Sequence, residues 1–188
     1  MRAADHVVTT DRLRLRPFRA GDLDAVVAIQ TREDNARYLY RDPMTADEAA
    51  AWLAATLQYG FAREGDRLRL AVTVPPGDVV VGYAQLHLSS ALARQAELGY
   101  AIHPGHAGRG YATEAARELI RLGFETYGMH RVFARIDAGN VASVRVCERL
   151  GMRKEAHFIE NDVWNGRFGD EVVYAMLARE WDGVGRSG

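Results

Sequence analysis

The clearest hydrophobic pattern in the chain follows Gly110. Small and apolar residues recur there at intervals of three and four, a spacing that places them on one face of an α-helix. The pattern therefore predicts an amphipathic helix that begins near Tyr111 and packs that face against the core. The residues on the face are Ala112, Ala115, Ala116, Leu119, Ile120 and Gly123.

Three further helices are predicted by local start and stop signals. Thr45-Ala46-Asp47-Glu48 has the order of a capping box, and a helical pattern continues from it to Leu57. Asn140 is placed to cap a helix that runs as far as Leu150, and Gly151 follows as a stop. A short helix is expected to begin at Asp22. Its apolar face is made of Leu23, Val26 and Val27.

Seven segments have the alternation or the composition of β-strands. Residues 12–18 alternate between arginine and apolar side chains, which predicts a half-buried first strand. Asn165-Gly166 lies between the last two segments and indicates a tight hairpin turn. Residues 35–44 have apolar bulk without a clear period, so no element is assigned to them. The other strands are expected at 68–74, 79–88, 98–102, 131–137, 152–161 and 170–177.

The order of these elements predicts an α/β fold of the mixed, α+β kind. Helices on either side of strand 131–137 call for parallel pairing nearby, whereas the hairpins call for antiparallel pairing. A mixed sheet with helices on both faces follows. We find no repeat, low-complexity segment or internal linker, so residues 1–181 are expected to form one domain. Residues 182–188 are expected to be a flexible tail.

Composition and charge exclude several functional classes. The formal net charge of −1 among 188 residues gives no basic surface for nucleic acid or for a membrane. A single cysteine excludes an internal disulfide framework and a thiolate-rich zinc site. No apolar run approaches the length of a membrane span, and the first residues do not have the pattern of a signal peptide. These features predict a cytoplasmic enzyme or binding protein.

The turn before the amphipathic helix is a candidate phosphate site. Gly108-Arg109-Gly110 joins the strand ending at Ile102 to the helix, and backbone N–H groups at a helix N-terminus attract phosphate. A dinucleotide fingerprint would need a third glycine where Thr113 stands, and a Walker loop would need a Gly-Lys pair. From spacing alone, a plain strand-to-helix turn and a nucleotide-phosphate site both remain open.

Two motifs together resemble the GCN5-related N-acetyltransferases, the GNAT superfamily. Their phosphate loop, Q/R-x-x-G-x-G/A, is matched by residues 107–112 in the sequence AGRGYA, with Ala107 in place of Gln or Arg. Their second motif is matched by Asn140-Val141-Ala142-Ser143 and Leu150-Gly151-Met152. The ends of the chain, DRLRLRPF and DEVVYAMLAREW, resemble the RimJ/RimL branch, which acetylates protein N-termini and some small amines.

This resemblance implies an acyl-CoA N-acyltransferase fold that uses acetyl-CoA. The mostly antiparallel sheet would splay open between the parallel strands 97–103 and 131–137, and the pantetheine arm would lie in that split. The backbone of Tyr100, Ala101 and Ile102 would bond the arm like an added strand, and Asn140 would bond it from the other side. The pyrophosphate would be held at Gly108, Arg109, Gly110, Tyr111, Ala112 and Thr113, with Arg109 adding charge at the rim.

The resemblance also frames the catalytic residues. The usual general acid is a tyrosine seven residues beyond the asparagine, where this chain has Cys147, so the acid role passes to Ser143 or to water. A base is needed because only a neutral amine attacks a thioester. An α-amine has a pKa of about 8 and a lysine amine one of about 10.4, so an α-amine needs less help. Glu97 is the first candidate for the base and Glu160 the second.

The acceptor is an amine whose identity the sequence does not give. Its site is expected in residues 30–60 and in the 160–170 hairpin. Tyr38, Tyr40, Trp52 and Trp164 are candidate lining residues, although aromatic residues at such spacings are more often core.

His103 and His106 flank a turn with no further ligand nearby, so no metal is expected. The expected function is direct acetyl transfer to a protein N-terminal or small-molecule amine by a monomer or homodimer. The alternative is a non-catalytic acyl-CoA-binding module.

Overall fold

The computed structural model describes residues 7–58 and 60–181. In that part of the chain the strands are Val8–Thr9 (β1), Arg14–Arg16 (β2), Arg67–Val74 (β3), Val79–Ser90 (β4), Gln95–Ile102 (β5), Arg131–Asp137 (β6), Arg153–Trp164 (β7) and Arg167–Leu177 (β8). The α-helices are Leu23–Gln30 (α1), Glu33–Arg37 (α2), Ala46–Thr56 (α3), Tyr111–Arg121 (α4) and Val141–Arg149 (α5). The tail predicted at 182–188 lies outside the described residues. None of the helices described is long and apolar enough to span a membrane.

The strands form one mixed sheet in the order β1-β2-β3-β4-β5-β6-β8-β7. Neighbouring strands are antiparallel except for β5 and β6, which run parallel. These two strands pair only at Gln95/Arg131, Ala96/Val132 and Glu97/Phe133. Both strands continue beyond the last pair, to Ile102 and Asp137, and there they separate. The mixed sheet that splays between two parallel strands is therefore confirmed.

Helices cover both faces of the sheet, as the sequence predicts. On one face, fully buried residues of α4 and α5, such as Leu119 and Cys147, belong to the same apolar cluster as Leu86 of β4. On the other face, Val26 and Leu53 bring α1 and α3 into a smaller cluster. The place where β5 and β6 separate therefore lies between two layers of helices.

Helix α4 confirms the strongest pattern in the sequence. Its core-facing side chains Ala115, Ala116, Leu119 and Ile120 are completely buried. A π-turn over Leu122–Thr126 extends the helix, and a Cβ atom at Gly123 would lie 3.2 Å from Val132 of β6. A residue with a side chain at 123 would therefore crowd β6.

The hairpin between β7 and β8 is also confirmed. Asn165 and Gly166 have φ angles of +49° and +70°, the pair of positive values that a type I′ turn requires. Thr45 and Glu48 likewise form the predicted capping box at the start of α3, where the Glu48 N–H donates to the Thr45 hydroxyl over 3.2 Å.

The first predicted strand is wrong in its length and in its polar face. Only Arg14–Arg16 is extended and paired with β3, and the Arg16 side chain is 3% exposed. Its guanidinium donates two hydrogen bonds to the Asp22 carboxylate, over 2.8 and 2.9 Å, and one to Asp78 over 2.8 Å. Two carboxylate partners make the burial of this charge possible, and alternation along the chain does not reveal them.

Candidate active site in the split between β5 and β6

The turn that precedes α4 has the geometry of an anion site. Gly108 and Gly110 have φ angles of +75° and +79°, which L-residues with side chains rarely adopt. The first hydrogen bond of α4 runs from the Glu114 N–H to the Gly110 carbonyl oxygen over 3.1 Å. The N–H groups of Tyr111, Ala112 and Thr113 therefore have no acceptor within the helix and point out of its N-terminus. Together with the helix dipole they favour an anion there.

The first turn of α5 forms the facing wall of the split. The Asn140 side-chain oxygen accepts a hydrogen bond from the Ser143 N–H over 3.1 Å, so the capping interpretation is confirmed. This bond uses the carbonyl oxygen of the amide and leaves its NH₂ group as a donor. The Ser143 carbonyl oxygen accepts a hydrogen bond from the Tyr100 hydroxyl over 3.3 Å, which connects β5 to α5.

A cleft of about 590 Å³ runs through the split. It contains most of the residues that the sequence assigns to the cofactor. Those that line it are Tyr100, Ala101, Ile102, Gly108, Gly110, Tyr111, Ala112, Thr113, Asn140 and Ser143. Arg109 lies outside the lining, exposed at the rim.

The two candidate bases lie outside the cleft lining. Glu97 occupies the last paired position of β5 before the strands separate, and its side chain is 32% exposed. Its carboxylate oxygen is 3.6 Å from Nδ1 of His87, directly across on β4. Glu160 lies at an irregularity of β7 and is exposed. Glu97 is thus next to the closed end of the split, because the two residues that follow it, Leu98 and Gly99, line the cleft. No residue of β7, the strand of Glu160, lines the cleft.

Cys147 is a core residue. Its side chain is completely buried in the cluster under α5, and burial raises the pKa of its thiol to about 12. Burial also raises the pKa of the neighbouring Tyr100 hydroxyl. In the first turn of α5, Ser143 is the residue that has a hydroxyl group, and it lines the cleft.

A second cavity, of about 1210 Å³, adjoins the cleft. It is lined by residues between 28 and 40, by residues 137–139 and by the β7–β8 hairpin. The lining therefore includes parts of both segments, 30–60 and 160–170, in which the acceptor site is expected. The two spaces are adjacent, because four residues border both of them: Arg32, Asp34, Tyr38 and Asp137.

Three of the four aromatic residues proposed to line the acceptor site do line the second cavity. Tyr38, Tyr40 and Trp164 face it, and Phe168 joins them. Trp52 does not, because its ring packs between Phe18 and Tyr83, with centroids 5.5 and 5.4 Å away. Trp52 therefore packs, partly buried, against the smaller apolar cluster.

Asp137 is a cavity residue that sequence reasoning missed. It ends β6, accepts a hydrogen bond from the Gly139 N–H over 2.6 Å and accepts another from the Tyr40 hydroxyl. Burial and this carboxylate raise the pKa of Tyr40. The sequence does contain one signal for Asp137, a charged residue at the carboxyl end of β6, one of the two strands that form the split.

His103 and His106 form no metal site with other residues. Their ring centroids are 6.2 Å apart, and His103 Nδ1 accepts a hydrogen bond from the Gly105 N–H over 3.2 Å. In residues 7–58 and 60–181, no group of three or more His, Cys, Asp and Glu side chains is arranged to hold a metal ion.

Comparisons with known proteins agree with this geometry. The family described as "Acetyltransferase (GNAT) domain" matches residues 12–153. The uncharacterized N-acetyltransferase YnaD of Bacillus subtilis is 27% identical over 176 residues, which cover 93% of this chain and 99% of YnaD.

Solved structures share the fold. A GNAT-family acetyltransferase from Bacillus anthracis superposes with a TM-score of 0.82 at 25% identity, over 93% of this chain and 100% of that one. Spermidine N-acetyltransferase from Vibrio cholerae, solved in complex with CoA and spermine, superposes with a TM-score of 0.80 at 22% identity. That match covers 91% of this chain and 98% of the other.

Proposed function

The chain belongs to the GNAT family of acetyltransferases, and we propose that it moves an acetyl group from acetyl-CoA directly to a primary amine while both substrates are bound. Membership makes it an acetyl-CoA-dependent acetyltransferase. Direct transfer is supported by one observation, that the cleft and the second cavity are adjacent and share the lining residues Arg32, Asp34, Tyr38 and Asp137. A donor in the first space can meet an acceptor in the second without a covalent enzyme intermediate.

Acetyl-CoA occupies the split in this proposal. Its pantetheine arm lies along the inner edge of β5 and bonds the backbone at Tyr100, Ala101 and Ile102, which β6 does not pair. Its pyrophosphate meets the N–H groups of residues 108–113, and Arg109 adds a positive charge at the rim. The NH₂ group of Asn140 reaches the arm from the opposite wall.

The reaction needs a polarised thioester and a stabilised thiolate. Backbone N–H groups on the inner edge of β5 are preorganised donors for the carbonyl oxygen on which negative charge develops. The amine attacks the carbonyl carbon, the C–S bond breaks, and the thiolate of CoA leaves. Ser143 stands on the facing wall, and its hydroxyl donates to the departing sulfur.

Glu97 takes the proton of the attacking amine. Its position at the closed end of the split, beside the lining residues Leu98 and Gly99, supports this role. Because Glu97 itself is outside the lining, we assign the transfer to an intervening water. Glu160 is the weaker candidate because no residue of β7 lines the cleft, whereas Leu98 and Gly99, which follow Glu97, do.

The second cavity receives the acceptor. A primary amine is a cation in neutral solution, and this cavity has carboxylates and aromatic faces, both of which attract cations. The carboxylates are Glu33, Asp34, Asp137 and Asp170. Three arginines, Arg32, Arg37 and Arg167, also line it, so the four carboxylates exceed the cations by one. The RimJ/RimL-like ends of the chain favour a protein N-terminal α-amine, and the spermine complex of the Vibrio cholerae structure makes polyamines the second class to test. We place the reaction in the cytoplasm and the enzyme as a monomer or homodimer.

Release of CoA thiol tests the proposal. The protein is incubated with acetyl-CoA and a panel of N-terminal peptides, amino acids, polyamines and aminoglycosides, with an amine-free control. Amine-dependent release that follows ternary-complex kinetics supports the proposal. Ping-pong kinetics would overturn direct transfer, and calorimetric binding of acetyl-CoA without turnover on any amine would favour a non-catalytic binding module.

A further inference from the structure

The side chain of Arg12 holds the phosphate turn from outside the cleft. Its Nη1 atom donates a hydrogen bond to the carbonyl oxygen of Arg109 over 2.7 Å. Its Cζ atom lies 5.5 Å from the centre of the Tyr111 ring. A Cβ atom at Gly110 would be 3.2 Å from Nη2 of Arg12. Arg12 therefore covers three successive residues of the turn without lining the cleft.

Arg12 is itself fixed by a carboxylate of α4. Its Nε atom donates to Glu114 over 2.8 Å, Nη2 bonds the same carboxylate oxygen, and its backbone N–H donates to the other oxygen over 3.2 Å. The Thr10 hydroxyl also donates to Glu114. Glu114 is only 17% exposed, so residues 10–12 and α4 form one connected unit.

The bond to Arg109 sets the orientation of a donor in the turn. In a trans peptide the C=O and the following N–H point in opposite directions. Because Arg12 draws the Arg109 carbonyl outward, the Gly110 N–H is directed to the other side, where Gly110 lines the cleft.

Charge gives Arg12 a second effect. Glu114 lies in the first turn of α4, where a carboxylate opposes the binding of an anion at the helix N-terminus. The guanidinium of Arg12 neutralises it at contact distance. The same side chain thus orients a donor toward the pyrophosphate and reduces the repulsion from Glu114.

We propose that Arg12 is a positioning residue for acetyl-CoA, which orients the Arg109–Gly110 peptide and neutralises Glu114 without touching the cofactor. The inference rests on the proposed placement of the pyrophosphate at residues 108–113. It predicts that Arg12 matters to donors that carry a pyrophosphate and not to donors that lack one.

The experiment compares Arg12→Gln with Arg153→Gln. Arg153 is a matched control, since it is 47% exposed against 51% for Arg12, binds carboxylates of Glu155 and Glu180, and lies away from both spaces. Three donors are used with the best amine of the panel: acetyl-CoA, 3′-dephospho-acetyl-CoA and acetyl-pantetheine. The melting temperature of each variant is measured alongside.

For Arg12→Gln we expect the KM for acetyl-CoA to rise about tenfold, as for the loss of one charge-assisted bond, with kcat within about twofold. The rise should be the same with 3′-dephospho-acetyl-CoA and absent with acetyl-pantetheine. Arg153→Gln should change none of the three. The double variant Arg12→Gln/Glu114→Gln should have a KM for acetyl-CoA between those of wild type and Arg12→Gln. It lacks the repulsion from Glu114, but Arg12 no longer orients the Arg109–Gly110 peptide.

Each other result overturns the inference. An equal rise with acetyl-pantetheine would show a general structural effect, and a rise that disappears with 3′-dephospho-acetyl-CoA would show a direct contact with the 3′-phosphate. If wild-type protein released no thiol, the proposed function would fail separately. The comparison would then be made by calorimetry with CoA, 3′-dephospho-CoA and pantetheine.

Discussion

The hydroxyl of Tyr100 donates a hydrogen bond to the carbonyl oxygen of Ser143 and so ties β5 to α5 across the split. One wall carries the backbone proposed to bond the pantetheine arm, and the other carries Asn140 and Ser143. The width of the cleft at this level therefore depends in part on a side chain that packs against the core.

Tyr100→Phe removes this tie, together with the contact between the Tyr100 hydroxyl and the Cys147 thiol. We expect a loss of about 1 kcal/mol in the free energy of unfolding, the usual contribution of one hydrogen bond, measured by urea denaturation. Tyr174→Phe is a matched control. The Tyr174 hydroxyl also donates a hydrogen bond to α5, to the Glu148 carboxylate over 3.4 Å, but neither residue lines the cleft. Only Tyr100→Phe should also raise the KM for acetyl-CoA, and equal KM values in the two variants would contradict a role in holding the split.

Glu97→Gln should lower kcat about a hundredfold at pH 7, a usual contribution of general base catalysis. The deficit should shrink as the pH rises through about 8 with an α-amine acceptor, because the neutral amine then no longer needs a base. The pH–rate profile of the variant measures this. Glu160→Gln should keep the wild-type profile, and a loss confined to that variant would reassign the base.

Gly110→Ala should weaken the binding of acetyl-CoA. A residue with a side chain in the left-handed region costs about 1–2 kcal/mol, and here its Cβ would also press on Arg12. Gly128→Ala is the control, since Gly128 has a φ of +62° with open space around its Cβ position. The two variants should lose similar stability in thermal melts, but calorimetry should show a higher Kd for acetyl-CoA only in Gly110→Ala.

Asp22→Asn should destabilise the fold by about 3–5 kcal/mol, because it leaves the buried Arg16 charge poorly compensated. Burial opposes the charged form of Asp22, but hydrogen bonds from Arg16 and from the Arg19 N–H outweigh it, and the pKa of Asp22 is lowered. A lowered pKa gives stability that is present above about pH 4 and is lost as the pH falls through the folded-state value. The difference between wild type and variant should therefore vanish in strong acid.

Urea midpoints measured from pH 7 to pH 2 test this. Asp34→Asn is the control. The side chains of Asp34 and its partner Arg32 are 52% and 39% exposed, so their ion pair should contribute less than about 1 kcal/mol to the free energy of unfolding. A difference for Asp22→Asn that persists unchanged in acid would contradict the ion-pair explanation.

Cys147→Ala should retain acetyl transfer within about threefold, because a buried thiol whose pKa is about 12 is neither a ready acid nor a nucleophile at neutral pH. In wild-type protein the thiol should react with a disulfide reagent only after denaturation. Rapid labelling of the folded protein, or a large loss of kcat in the variant, would return Cys147 to the mechanism.

Sequence reasoning succeeded where the determining residues are neighbours in the chain. Strand β6 has the predicted bounds, since turn residues flank it on both sides, and α4 begins at Tyr111 because Gly110 can adopt a positive φ. The capping of α5 by Asn140 follows from the same local logic.

It failed where the deciding partner is distant. Arg12 pairs with Glu114, 102 positions away, and Arg16 pairs with Asp78, 62 positions away. The second partner of Arg16, Asp22, is six positions away, but it lies beyond the strand, so the alternation pattern does not include it. The lining of the second cavity combines α2 with the β7–β8 hairpin, so no local pattern separates Tyr38, which faces the cavity, from Trp52, which does not. The five residues of α2 are also too few to show a helical period.

The divergence of β5 and β6 beyond Glu97 and Phe133 also has a consequence for solubility. Unpaired strand edges ordinarily recruit strands from other molecules and promote aggregation, and proteins must shield them. Here two such edges face each other inside the molecule, between helices on both faces of the sheet. A strand of a second folded protein reaches such inner edges less easily than an outer edge, so their backbone groups can be kept for a ligand with a lower risk of aggregation.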